Sequence, residues 1–355
     1  MLVFEHYYNQ AVAYNTGLFN IGAPGQYLAG TAATLFIALS LPTGVGELYP
    51  WQLAQGMEPA AFFLPTWLVW VLAFLGGMLA GAIWGAIPGM LKAFLNINEV
   101  LACIMTNWLA AKIVTWGFDA SNFKNVVENT KTGYVYKTTF GLTQVDGAWT
   151  YVEGNGIATA KMGLDKIFAG SQVNAGILIA IAFAIGMHIL MNKTTLGYEL
   201  KACGSNRHAA RYAGISDKRN IVLSMAIAGA LSGAAAALYY LAGNTEFFWT
   251  TYQSLPATGF NGIPVALLAV NNPIGVVFAG IFMAMLNIVG QNLTGYTAYN
   301  EYITDVIISV IVYLSAFSLV VQMLLPKLKK ADAPNANAEV PAVNEDKKEE
   351  GGENA

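Results

Sequence analysis

The sequence predicts an all-α polytopic membrane protein on three observations: a shortage of charge, a series of apolar stretches long enough to span a bilayer, and basic residues gathered into short connections between them. Of 355 residues, 55% are hydrophobic and 11% are charged, with a mean hydropathy of +0.49. Soluble domains average about 25% charged residues. A chain this poor in charge cannot cover a water-facing surface, so lipid must cover much of it. The net charge of −3 says little, because the charges are segregated along the chain.

A hydrocarbon core about 30 Å thick needs roughly 20 apolar helical residues. Stretches 23–41, 64–91, 99–118, 173–192 and 220–242 meet that length, and 302–326 is a sixth. Between the last two lies 260–290, apolar but interrupted at Asn271, Asn272 and Pro273. Proline lacks an N–H and clashes with the preceding turn, which disfavours one continuous helix there. The stretch reads as a broken helical hairpin or two short helices, giving a bundle of about 7 membrane-embedded segments. Irregular backbone at membrane depth is tolerated only against protein or a water-filled cavity. The break is therefore either a pathway element or a plain interfacial turn.

Lysines and arginines in short loops set the orientation. The connection 193–219 carries Lys193, Lys201, Arg207, Arg211, Lys218 and Arg219 against only Glu199 and Asp217. Lys327, Lys329 and Lys330 follow the last span, and Lys92 sits at the 91–98 turn. Placing all three sites in the cytoplasm puts 42–63, 119–172 and 243–259 outside. The chain then divides into N-terminal membrane helices (1–118), an extracytoplasmic excursion (119–172), C-terminal membrane helices (173–326) and a disordered cytoplasmic tail (327–355). The alternation at Tyr134, Val135 and Tyr136 predicts that the excursion is small and β-rich. From 331 the tail has no apolar periodicity.

Small residues predict how the helices meet. Gly77, Gly81, Gly85 and Gly89 recur every fourth residue along one face of the second span. Gly229 and Gly233 lie with Ser224, Ala228, Ser232 and Ala236 in the fifth. Such stripes let helix backbones approach closely in lipid.

Several function classes are excluded or left without support. No G-x-x-x-x-G-K-[ST] phosphate loop occurs, so no ATP site of that kind is present. Glu99, Glu301 and Asp305 fall at or near span starts rather than in a buried carboxylate chain of the kind ion-driven carriers use. His6, His188 and His208 form no ligand cluster, and Cys103 and Cys203 have no metal spacing. No enzyme, metal, cofactor or nucleic-acid partner is expected. Met1 to Tyr14 is too polar to supply the apolar core of a signal peptide.

The loop after the fourth span carries the most information. It runs Thr195-Leu-Gly197 and then Gly204-Ser-Asn206-Arg207-His-Ala209-Ala210-Arg211-Tyr212-Ala213-Gly214-Ile215. Ser205 is a candidate N-cap for a short helix over about 206–213, with Gly214 as its stop. Arg207 and Arg211 share one face of that helix, and Ala209, Ala210 and Ala213 leave another almost bare. Such a helix suits a groove in a separate subunit. It also suits an ordinary basic loop.

These residues resemble the bacterial ABC permeases of the ribose, branched-chain amino acid and nucleoside group. That family has a T-x-G and a G-x-N-x-x-A-A-x-x-A-G-I segment that couples to the ATPase. The resemblance implies a coupling role for Gly204, Asn206, Arg207, Ala209, Ala210, Arg211 and Gly214. Asn20-Ile-Gly22-Ala-Pro-Gly25-Gln26 is similar to the family's N-I-G-x-x-G-Q. Gly259-Phe-Asn-Gly262-Ile-Pro-Val-Ala-Leu-Leu268 with Asn272-Pro273-Ile-Gly275 is similar to its G-F-x-G-I-x-V-A-L-L and N-P-x-G. Lys92, Asn98-Glu99-Val100 and Ile104-Met105-Thr-Asn107 resemble the nucleoside branch in particular. Members usually carry one or more spans ahead of N-I-G-x-x-G-Q, and 19 residues precede it here. That implies a start set late or a bundle with fewer helices.

The resemblance implies a permease for a small polar solute in the bacterial cytoplasmic membrane, with a nucleoside as the expected cargo. Its expected partners are an ABC ATP-binding subunit, a second permease subunit in a heterodimer and an extracytoplasmic solute-binding protein. A simple sugar or branched-chain amino acid is the alternative cargo, and a self-sufficient secondary transporter the alternative class. Gln26, Asn107, Trp108, Asn261, Asn287 and Gln291 are candidates to line the path. Each is also a normal polar contact between membrane helices.

Overall fold

The computed structural model describes residues 10, 12–41, 64–121, 132–133, 141–145, 148–152, 159–162, 174–242, 247–249, 254–256, 258–269, 273–296, 302–304, 306–311, 313–314 and 317. Helix α1 spans Ala23–Ser40, α2 Thr66–Leu95, α3 Glu99–Ala120 and α4 Gly176–Lys193. Two short helices, α5 (Thr195–Ser205) and α6 (Arg207–Tyr212), lead into α7 (Asp217–Tyr240). Then come α8 (Thr258–Leu268) and α9 (Pro273–Tyr296). Among the described residues α2, α3, α4 and α7 are long and apolar enough to cross a membrane, and Tyr302–Ile311 is a shorter apolar helix. The chain is a helical polytopic membrane protein. All packing described below lies within residues up to Val312, which form one compact unit.

The interruption at 271–273 separates two helices, with Pro273 as the first residue of α9. A missing N–H costs nothing there, because first-turn donors have no partner within their own helix. At 24 residues α9 is longer than the short helix expected. Residues 42–63, most of 119–172, the later part of 302–326 and the whole tail lie outside the described residues. Within 119–172 the described strands are β1 (Thr132–Gly133), β2 (Gly141–Val145) and β3 (Ala148–Val152). β2 and β3 pair antiparallel, Leu142 opposite Tyr151. β1 pairs with β4 (Phe247–Phe248), just after α7.

The core is the three-helix group α1, α2 and α7. α7 is the most enclosed of the four spans, with 72% of its apolar window buried against 28–44% for the other three. Its glycine stripe meets that of α2. A Cβ added to Gly81 would strike the carbonyl oxygen of Gly229, and one on Gly233 would strike that of Gly77. From α1, a Cβ on Gly30 would lie 2.6 Å from Cα of Gly233. Backbone therefore rests on backbone at the centre of the bundle.

The two ends of the bundle differ in chemistry. At one, Lys92 pairs with Glu99 at 3.0 Å across the α2–α3 turn. Lys218, beginning α7, lies 5.5 Å from the centre of the Phe94 ring. At the other, Phe118 stacks on Trp249, and the Trp249 indole donates to Asp119 at 3.1 Å. Asp119 and Thr159, both within 119–172, reach this aromatic end. The Thr159 N–H donates to Leu241 O at 2.8 Å.

Candidate functional site

Two polar regions merit description. The first is a buried amide cluster where α1 begins. The N-cap position there is Gly22, which has no side chain to offer the first-turn N–H groups. Other residues supply acceptors. Asn20 Oδ1 takes the Gly22 N–H at 3.0 Å. Asn107, arriving from α3, takes the Gly25 N–H on Oδ1 at 2.9 Å and donates Nδ2 to Ile21 O at 2.9 Å. Asn20 and Gln26 exchange amide hydrogen bonds of 3.0 and 3.2 Å, and Gln10 donates to Asn20 O. Asn20, Gln26 and Asn107 are all at most 1% exposed.

The two glycines of this segment have a steric reason. A Cβ on Gly22 would approach Cys103 Sγ at 3.1 Å, and one on Gly25 would lie 2.8 Å from Cα of Asn107. A Cβ on Gly259, opening α8, would lie 2.6 Å from Cα of Pro24. Cys103 and Asn107 of α3 and Gly259 of α8, far away in sequence, thus converge on the start of α1.

Of the six path candidates, the structure brings Gln26 and Asn107 into this cluster. Trp108 instead points outward and is 52% exposed. Asn287 is partly buried and donates to Met283 O in its own helix at 3.1 Å. The side chains of Asn261 and Gln291 lie outside the described residues. Because both ends of the Asn107 amide hold backbone groups, Asn107→Leu is expected to lower stability. Each buried group left unpaired costs about 1–3 kcal/mol. Thermal unfolding of the purified protein measures this. An unchanged melting temperature with uptake lost would assign Asn107 to the path instead.

The second region is the α5–α6 hairpin at the basic end. Thr194 caps α5, its hydroxyl accepting from Gly197 N at 3.1 Å and donating to Leu190 O at 2.6 Å. A Cβ on Gly197 would run into the carbonyls of Leu190 and Met191, so only glycine fits where α5 folds back on α4. Gly204 packs in the same way on the backbone of Asn15 and Thr16.

The cap of α6 differs from the expected one. Asn206, not Ser205, is the N-cap, and its side chain accepts from Ala209 N at 3.0 Å. Ser205 is the last residue of α5, so the sequence turns one position later than expected. The other end is a Schellman motif, with Gly214 N donating to Arg211 O and Ile215 N to Ala210 O, both at 3.0 Å. It needs a left-handed residue, and Gly214 supplies φ +82°.

Burial divides α6 into two faces. Ala210 is 4% exposed and faces the chain's own interior. His208, Ala209, Arg211, Tyr212 and Ala213 are exposed, Tyr212 by 95%. Arg211 is held by Asp217 at 2.6 Å, and the pair raises the guanidinium pKa further. Glu199 accepts from Asn220 at 3.2 Å and Arg219 at 2.5 Å, which together hold its carboxyl below the usual range. The hairpin presents a preformed, positively charged surface from which the rings of Tyr198 and Tyr212 project. Among the described residues no group of three His, Cys, Asp or Glu could hold a metal ion.

Residues 10–316 match the family described as branched-chain amino acid transport system, permease component. The chain is similar to the nucleoside ABC transporter permease protein NupB of Lactococcus lactis subsp. cremoris, 33% identical over 326 residues that take in 92% of this chain and 79% of that one. It is also similar to the guanosine ABC transporter permease protein NupP of Bacillus subtilis, 32% identical over 91% of this chain and 80% of that one. The glucose ABC transporter permease protein TsgB13 of Haloferax volcanii is 29% identical over 78% of this chain and 63% of its own length. No solved structure matches.

Proposed function

The chain belongs to the family of branched-chain amino acid transport system permease components, and from that premise we propose that it is the membrane-spanning permease of an ATP-driven importer of nucleosides. The observation carrying the cargo is the pair of relatives NupB and NupP, whose names specify nucleosides and guanosine and which align over nine-tenths of this chain. An ATP-binding subunit and a solute-binding protein complete such a transporter. A second, non-identical permease completes the membrane part, in a bacterial cytoplasmic membrane.

The α5–α6 hairpin is the ATPase-coupling element. Its rigidity supports this reading, because a lever must transmit force without bending. Both helix starts are capped by side chains, and α6 ends on a hydrogen-bonded glycine stop. Gly204, Ala210 and Gly214 build the hairpin. Asn206 caps it, while Arg207, Ala209, Arg211 and the additional Tyr212 lie on or beside the face that meets the ATPase. The basic end is cytoplasmic by the positive-inside rule, and the 119–172 excursion then begins and ends outside, a small β-rich element. The bundle has about 7 membrane-embedded segments.

Radiolabelled uptake by the complete reconstituted complex tests the cargo. Guanosine and adenosine are expected to compete, and glucose, ribose and leucine are not. Competition by glucose or leucine alone would end the nucleoside reading.

A further inference from the structure

After α7 the chain goes back into the bundle before its next helix begins. Trp249 belongs to the aromatic end, stacked on Phe118 and bonded to Asp119. Gly259 lies against Pro24 at the start of α1, where Asn107 of α3 also docks. Asn107 and Phe118 stand about 17 Å apart along the axis of α3. The chain has therefore descended to mid-bundle by the time α8 begins. α8 covers only the remaining depth, since Val265 belongs to the core cluster that holds Met191 and Leu200 toward the basic end. Its 11 residues rise about 16 Å, half of a hydrocarbon core.

Ser254, Leu255 and Pro256 are the described part of the descent, and none is helical. The Pro256 carbonyl accepts from Gly259 N at 3.1 Å, which fixes it near the level of the start of α1. Ser254, two residues earlier, is at most about 7 Å away and so well below the aromatic end. Leu255 is half-buried against the core of α1, α2 and α7, whereas Ser254 is exposed. Neither Ser254 nor Leu255 exchanges a backbone hydrogen bond with any described residue. Open peptide groups are costly against hydrocarbon, so irregular backbone at this depth requires protein or a water-filled cavity around it. A protein cover without hydrogen-bond partners would leave the same groups unpaired, and water pairs them.

We infer that residues 254–256 line the outer half of the translocation path and pass the nucleoside inward on their open peptide groups and the Ser254 hydroxyl. This rests on the permease reading above. Peptide N–H donates, peptide C=O accepts and the serine hydroxyl does both. Ribose hydroxyls and the edge of a base offer the matching groups. None of these protein groups carries a charge, so they serve a neutral polar solute. A zwitterion such as leucine would lose hydration there without finding a counter-charge.

The test uses the complete complex of both permeases, the ATPase and the binding protein in proteoliposomes. Cys103 and Cys203 are both buried, so Ser254→Cys adds an accessible thiol. An impermeant charged methanethiosulfonate is added on the binding-protein side, without nucleotide and with ATP and vanadate. Labelling above that of the wild-type complex is expected in at least one of these states. Guanosine delivered by the binding protein is expected to slow it, and leucine is not. Ser254→Tyr, which narrows the path, is expected to stay in the complex and lower guanosine uptake by more than about tenfold. No labelling in either state would show the segment covered and overturn the inference. Labelling indifferent to guanosine in a complex that imports guanosine would do the same, as would full uptake by Ser254→Tyr. Loss of the second permease from the Ser254→Tyr complex on size exclusion would make the segment a subunit contact and also overturn it. Should the wild-type complex carry glucose and no nucleoside, the cargo reading fails separately. Labelling slowed by glucose would then keep the segment in the path, and labelling indifferent to it would remove it.

Discussion

Gly81→Ala and Gly233→Ala are expected to lose most of the folded protein, while Gly186→Ala is expected to keep its thermal stability or raise it slightly. All three add one methyl group to a membrane helix. At Gly81 and Gly233 that carbon meets a backbone carbonyl of the facing helix, which cannot rotate away as a side chain would. The helices must separate, and overpacking of this kind costs about 1–3 kcal/mol or more. Separation also strips contacts from Gly30, Gly77 and Gly85, which share the seam. At Gly186 nothing lies within 4 Å, so only the helix-propensity gain remains, about 0.5–1 kcal/mol. Membrane yield, size-exclusion profile and melting temperature of the purified proteins read the difference. Equal stability of Gly81→Ala and Gly186→Ala would mean that the seam is not as close as described.

Ala209→Glu and Ala210→Glu, adjacent in sequence, are expected to fail in different ways. Ala209 is exposed, so its glutamate leaves the fold intact and adds a charge and bulk where the ATPase seats. Uptake is expected to fall by more than about tenfold, the equivalent of about 1.4 kcal/mol at the contact, with the protein level in the membrane unchanged. Ala210 is 4% exposed, and a carboxylate placed there is buried without a partner, which is strongly destabilising. The protein itself is expected to disappear. Immunoblotting of membranes alongside uptake separates the two outcomes. Normal uptake by Ala209→Glu would remove α6 from the coupling surface.

The two cases show which features can be read from residues alone. The Pro273 break, the glycine stripes and the Gly214 stop were legible, because each follows from local chemistry repeated at a helical period or fixed by one residue. Ser205 against Asn206 was not. Both are good caps, and only the presence of α5 immediately before decides that Ser205 is already helical. Asn107 and Gln26 read as polar groups in apolar spans, available to a solute. Asn107 binds the open start of α1, 82 residues from the N–H it accepts, and Gln26 binds the Asn20 side chain beside it. No period or spacing records such a partner. A single charge inside an apolar window, such as Lys112 in α3, does not disturb the span pattern, whereas basic residues in short loops set its orientation.

The seam between α2 and α7 has a kinematic consequence. Carbonyl oxygens of one helix lie over the glycines of the other at intervals of about 6 Å, like teeth of equal pitch. Small sliding lifts each tooth onto its neighbour, and the next resting position is a whole turn away. Gradual shear is therefore closed to this pair, and α1 is locked to both through Gly30. An importer that alternates between inward and outward openings must keep these three helices as its fixed frame. Its moving parts are then to be sought where helices meet through larger side chains or interrupt themselves, as at the break between α8 and α9.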